Sequence, residues 1–142
     1  LRSADPSPSG ARVAIGFRGE ILTLPAEKGD ARNLTRTLGA NERHPAGAPD
    51  GLTIAYFSDA SSENELVLAP ADGSQIRRRL AVPGAGFYDS PKWSPDSKHL
   101  CFFDNSRSIF LFRRRTCSAN ARRKNNSQGC QSGASLRMVP CV

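Results

Sequence analysis

The side chains able to do chemistry are scattered through this sequence, and their spacing builds no reaction centre. Cysteines stand at 101, 117, 130 and 141. No two have the C-x-x-C spacing of a zinc site, and His44 and His99 are distant from each other in sequence. Disulfides among Cys117, Cys130 and Cys141 are compatible with the spacing but not specified by it. No Gly-x-Ser-x-Gly nucleophile elbow is present. Catalytic triads recur in unrelated chain orders, but His44 precedes one predicted strand and His99 opens another, so both read as surface or strand-edge histidines. Gly84-Ala85-Gly86 lacks the further glycine and the following helix of a dinucleotide-binding turn and reads as a loop. Asp50, Asp72 and Asp96 sit in turns, where a carboxylate serves the turn itself. The expectation is therefore no catalytic residue, no metal ligand set and no cofactor. Beside the glycine loop, Phe87 and Tyr88 are placed either to contact a passing peptide or to pack between structural units.

Charge divides the chain. Residues 1–112 hold 13 basic and all 13 acidic side chains, whereas residues 113–142 hold seven basic residues and no acid. The net charge of +7 therefore belongs to the C-terminal segment. Arg77-Arg78-Arg79, Arg113-Arg114-Arg115 and Arg122-Arg123-Lys124 would attract anionic polymers. The C-terminal segment carries no aromatic residue to stack on bases, so specific nucleic-acid binding is not expected. No apolar run is long enough for a membrane span. The N-terminal Leu1-Arg2-Ser3-Ala4-Asp5-Pro6 has no apolar h-region and predicts no secretory signal within it.

The elements that would carry these residues are set by an internal repeat. Ser7-Pro8-Ser9-Gly10, Ala48-Pro49-Asp50-Gly51 and Ser94-Pro95-Asp96-Ser97 are variants of one turn. Proline presets φ, Asp or Ser can accept from nearby backbone, and glycine admits positive φ. A strand follows each: Val13-Ala14-Ile15, Ile54-Ala55-Tyr56 and Leu100-Cys101-Phe102, large-small-large, with Cys101 expected as a small buried hydrophobe. A second strand comes next, at Glu20-Ile21-Leu22-Thr23, Glu65-Leu66-Val67-Leu68 and Ser108-Ile109-Phe110-Leu111. A shorter one follows around residues 32–35 and 78–81. With the strand before each proline turn, this makes about four strands every 40–45 residues and no helix. That is the period of a β-propeller blade. The predicted fold is all-β, a partial β-propeller of two to three four-stranded blades over residues 1–112.

Pro91-Lys92-Trp93-Ser94-Pro95-Asp96-Ser97 resembles the PD40 repeat, which builds the propellers of TolB, of prolyl-oligopeptidase-like enzymes and of tricorn proteases. Asn33 through Thr37, His44-Pro45-Ala46, Pro49-Asp50-Gly51, Ile54 through Asp59 and Phe87 through Trp93 look most like bacterial tricorn-type peptidases. Pro49, Asp50, Gly51, Trp93, Pro95 and Asp96 are the residues that define the repeat. The resemblance implies a non-catalytic segment that admits or binds unfolded peptide for a distant protease domain. Its partners would be the remaining blades and protease domains of an oligomeric parent. The alternative it implies is a TolB-like module for protein–protein interaction. No position matches the catalytic motif of the tricorn-type enzymes.

Two departures stand out. Gly47 takes the place of the repeat's tryptophan, seen here as Trp93. After Phe112 the repeat stops, acids vanish and cysteine is enriched. Residues 113–142 thus read as a disordered basic tail, translated out of frame or divergent, that leaves the third unit without its outer strand.

Overall fold

The computed structural model describes residues 3–74, 78–82, 86–106, 108–114 and 135–139. They form three antiparallel four-stranded meanders. The first blade comprises β1 (Ser3–Pro6), β2 (Arg12–Phe17), β3 (Glu20–Pro25) and β4 (Arg32–Asn33). The second comprises β5 (Arg43–Gly47), β6 (Thr53–Ser58), β7 (Glu65–Pro70) and β8 (Arg78–Ala81). The third comprises β9 (Tyr88–Trp93), β10 (His99–Asp104), β11 (Ile109–Arg113) and β12 (Ser135–Val139). No described helix is long and apolar enough to cross a membrane.

The three proline turns share one geometry. In each, the fourth residue donates to the carbonyl of the first, at 2.9 Å for Gly10–Ser7, 2.8 Å for Gly51–Ala48 and 2.9 Å for Ser97–Ser94. The fourth residue is left-handed every time, with φ of 70° at Gly10 and Gly51 and 57° at Ser97. The third residue accepts from the backbone two positions on: Ser9 from Ala11 (3.4 Å), Asp50 from Leu52 (2.9 Å) and Asp96 from Lys98 (3.0 Å). Each local sequence thus turns the first strand of its blade into the second.

Burial follows the stacking of the blades. Alternate residues of a strand point to opposite faces of its sheet. In the first blade, Ala14 and Ile21 are buried toward the second blade, where they meet Ile54, Tyr56, Val67 and Ala69. The opposite face of the second blade, Ala55, Phe57, Leu66 and Leu68, packs on Leu100, Phe102, Phe110 and Phe112 of the third. The rings of Phe57 and Phe102 meet edge to face with centroids 5.3 Å apart. Strands β6 and β7 are therefore buried on both faces, whereas β2, β3, β10 and β11 alternate between buried and open. The open faces hold Phe17 and Leu24 at one end and Phe103 at the other. Cys101, expected to be buried, is only half-buried, because it lies on the face of the third blade that no described element covers.

The third blade also corrects the expectation that its outer strand is missing. Ser135–Val139 pairs antiparallel with β11 over five positions, from Ile109↔Val139 to Arg113↔Ser135. The blade continues past Phe112 as well: β11 includes Arg113, and the Arg114 N–H donates to the Lys98 carbonyl at 2.7 Å. Residues 115–134 and 140–142, where the rest of the predicted disordered tail falls, lie outside the described residues.

Candidate functional site

The strands β1, β5 and β9 are the edges through which successive blades approach one another, β5 lying against β1, β2 and β9. Each begins at one rim and ends at the proline turns of the other, so the two rims carry different chemistry.

At the starting rim, the segment before β9 presents Phe87, 66% exposed. Its backbone is fixed: the Phe87 carbonyl accepts from the Asn105 N–H at 3.1 Å, and the Gly86 carbonyl accepts from Asn64 Nδ2 at 3.1 Å. Asn64 Oδ1 in turn accepts from Arg43 Nη2 at 2.8 Å. The Arg43 guanidinium lies over the Phe87 ring, 5.2 Å from its centroid, a cation–π arrangement. Together with Asn41, Asp59, Ser62, Glu63 and Val82, these side chains line an open pocket of about 530 Å³ between the second and third blades. Tyr88, one residue on, turns the other way. It is 3% exposed, stacks on Phe57 at 5.5 Å and meets Phe102 and Phe110 edge-on. Burial first, and then the negative charge of Asp104, push its phenol above the ordinary value.

Between the rims, along the first strands, His44 Nδ1 lies 3.2 Å from Asp89 Oδ1, close enough for the ring N–H to donate across β5 and β9. His44 sits at φ 53° where the β5–β6 register shifts. With Asp5, Lys92 and Trp93 the pair lines a groove of about 470 Å³. Ser3 lines the same groove, but its buried hydroxyl has no hydrogen-bond partner, so His44 does not activate it. Among the described residues no group of three His, Cys, Asp or Glu is placed to hold a metal ion.

At the other rim stand the residues that define the repeat. The Trp93 Nε1–H donates to the Ala46 carbonyl across the seam between second and third blades, at 3.0 Å. The Ser97 hydroxyl accepts from the Asp50 N–H at 2.9 Å, and Arg114 Nη1 donates to Asp50 Oδ2 at 2.7 Å. The Arg114 guanidinium lies 5.9 Å from the centroid of the Trp93 ring. Pro49, Gly51, Pro95 and Asp96 shape the two turns that carry this cluster. The Ser94 hydroxyl, with the Lys98 N–H, holds the Asp96 carboxyl below its usual value. Sequence reasoning found the turns and Trp93 but not Arg43, Asn64 or the contacts that Ser97 and Arg114 make across the seam. Ser97 carried a signal, since it replaces glycine at a left-handed position; Arg114 carried none.

No family model matches the chain, and no curated protein matches it. Among solved structures it is similar to TolB from Acinetobacter baumannii, with a TM-score of 0.55 and 21% identity over 82% of this chain. The match spans 27% of that TolB chain. A likeness at this identity concerns the fold, and the fold agrees with the repeat, the turns and the stacked meanders: the described blades share the β-propeller fold of that structure.

Proposed function

We propose that this chain is a non-catalytic propeller segment that binds a protein partner through an extended, unfolded stretch at the rim bearing Arg43 and Phe87. The observation that carries the reading is the exposed Phe87 ring, held over Arg43 at the edge of a pocket of about 530 Å³. Aromatic and arginine side chains dominate binding energy where they can be desolvated together. Asn41, Asn64 and Ser62 offer polar groups for a peptide backbone. The test is titration of the chain with a permanently unfolded polypeptide, such as reduced and alkylated casein. Phe87→Ala should weaken binding about tenfold, which is 1.4 kcal/mol. Unchanged affinity would remove this rim from the proposal.

A second, finer reading is that the segment serves a tricorn-type serine peptidase, presenting substrate to protease domains of the parent. It is favoured by the residue runs at 33–37, 54–59 and 87–93. The coding DNA around Phe112, translated in all three frames, tests it. PDZ-like and protease domains encoded downstream would support this reading, and a propeller without them would favour the TolB-like interaction module.

A further inference from the structure

The two seams between blades are built to one plan but filled differently. Register makes the correspondence explicit. Gly47 pairs with Ile54 where Trp93 pairs with Leu100. Gly51 closes its proline turn where Ser97 closes the next. The Ala71 N–H donates to the Leu52 carbonyl where the Arg114 N–H donates to that of Lys98. Three side chains that bridge the seam between second and third blades at the proline-turn rim, Trp93, Ser97 and Arg114, thus have Gly47, Gly51 and Ala71 as counterparts at the seam between first and second, where the Asp5 carboxylate instead accepts from the Gly47 N–H. The space is not closed by collapse. A cavity of about 350 Å³ remains there, walled by those three residues together with Pro6, Ala14 and Ile54. A cavity of roughly 150 Å³ already holds a benzene ring.

We infer that this seam is a receptor for an aromatic side chain, the indole of a tryptophan supplied by a partner polypeptide. The chain's own Trp93 shows what the space accepts: an indole laid against the preceding blade, with its N–H on the carbonyl of the first strand. At this seam, where the Asp5 carboxylate reaches across to the Gly47 N–H, Asp5 holds the register position of Ala46, pairing with Ala14 as Ala46 pairs with Ala55. Its carbonyl is the corresponding acceptor. Arg12, fixed by Thr23 and by the Asp30 carbonyl, also lines the cavity. The site lies at the proline-turn rim, opposite Phe87, so it is independent of the peptide contact proposed above.

The experiment titrates the full chain with N-acetyl-tryptophanamide, N-acetyl-alaninamide and free indole, following backbone amide shifts. Saturable binding of the tryptophan amide is expected, at least about tenfold tighter than the alanine amide, with shifts at Ala14, Gly47, Ile54 and Ala71. Gly47→Trp should fill the seam from within, raise the melting temperature and abolish the binding. Phe87→Ala should leave it unchanged. Binding of free indole without the amide would assign the cavity to a small molecule and overturn the polypeptide assignment. So would shifts confined to the Phe87 rim, or no saturable shift at Ala14 and Ile54 at millimolar ligand. The last two readouts use the unsubstituted chain and hold even if Gly47→Trp fails to fold.

Discussion

The backbone N–H of Asp50 donates to the hydroxyl of Ser97 at 2.9 Å, tying the proline turn of the second blade to that of the third. Ser97 is buried and sits in the left-handed region that its counterparts Gly10 and Gly51 occupy without strain. The seam therefore keeps a strained serine because its hydroxyl satisfies a neighbour's backbone. Ser97→Ala keeps the strain and loses the bond, which should cost about 1 kcal/mol or more. Ser97→Gly loses the bond but relieves the strain and should cost less. Urea denaturation at one fixed chain concentration measures both. An alanine variant as stable as the unsubstituted chain would show that the hydroxyl does not bridge the blades.

Removing residues 113–142 should destabilise the blades rather than trim a passive tail. The cut takes away β12, which pairs with β11, and Arg114, which bonds Asp50. A loss of at least about 1–2 kcal/mol, or roughly 5–10 °C in melting temperature, is expected. Trp93 emission should shift as the guanidinium over its ring is lost. Circular dichroism and fluorescence of the truncated chain check both. Unaltered β content and melting would contradict the integration of this segment.

Acid should loosen two of the turns. The Asp96 carboxyl is held below 3.8 chiefly by the Ser94 hydroxyl, and Asp104 chiefly by the Ser106 hydroxyl. A folded-state value below the unfolded one means that the contribution is complete above pH 3.8 and is lost as pH falls through the folded value. Melting curves from pH 5 downward should therefore steepen in their loss below about pH 4. Asp96→Asn and Asp104→Asn should each flatten that slope. A parent chain and variants with the same acid profile would remove these turns from the pH dependence.

The open ends should make the chain associate. Phe17 and Leu24 on the first blade and Phe103 on the third are 44%, 37% and 41% exposed. They lie on faces whose counterparts in the second blade are buried. Repeat units need neighbours to bury such faces. Light scattering after size exclusion should give a mass above 15.3 kDa, and Phe103→Ser should lower it. A compact monomer with a sharp melt would show that the open faces tolerate water.

Much of this was legible in the sequence because three copies of one pattern restate it. The strand after each proline turn and the short outer strand near Arg32 follow from local residues and period-two alternation. The fourth strand of the third blade did not, because residues 114–134 separate it from β11 and Ser135–Val139 alone is too short a pattern to be recognised. Phe87 and Tyr88 read alike as a pair, yet Phe87, just before β9, is exposed and Tyr88, the first residue of β9, is buried. The seam contacts of Ser97 and Arg114 depend on how one blade sits on the next, which no single repeat encodes. Gly47 was visible as a departure, but the cavity beside it appears only once Asp5, Pro6 and Ile54 are placed around it.

Amide hydrogen exchange tests the account most directly, because it reports each strand of the stacked blades separately. The amides of 54–57 and 66–69, in the blade buried on both faces, should exchange slowest. Those of 13–16 and 100–103 should follow, and those of 135–139 should show protection above the random-coil rate, as the outer strand of the third blade requires. Random-coil exchange throughout 135–139, or a second blade no slower than the other two, would contradict three stacked four-stranded blades.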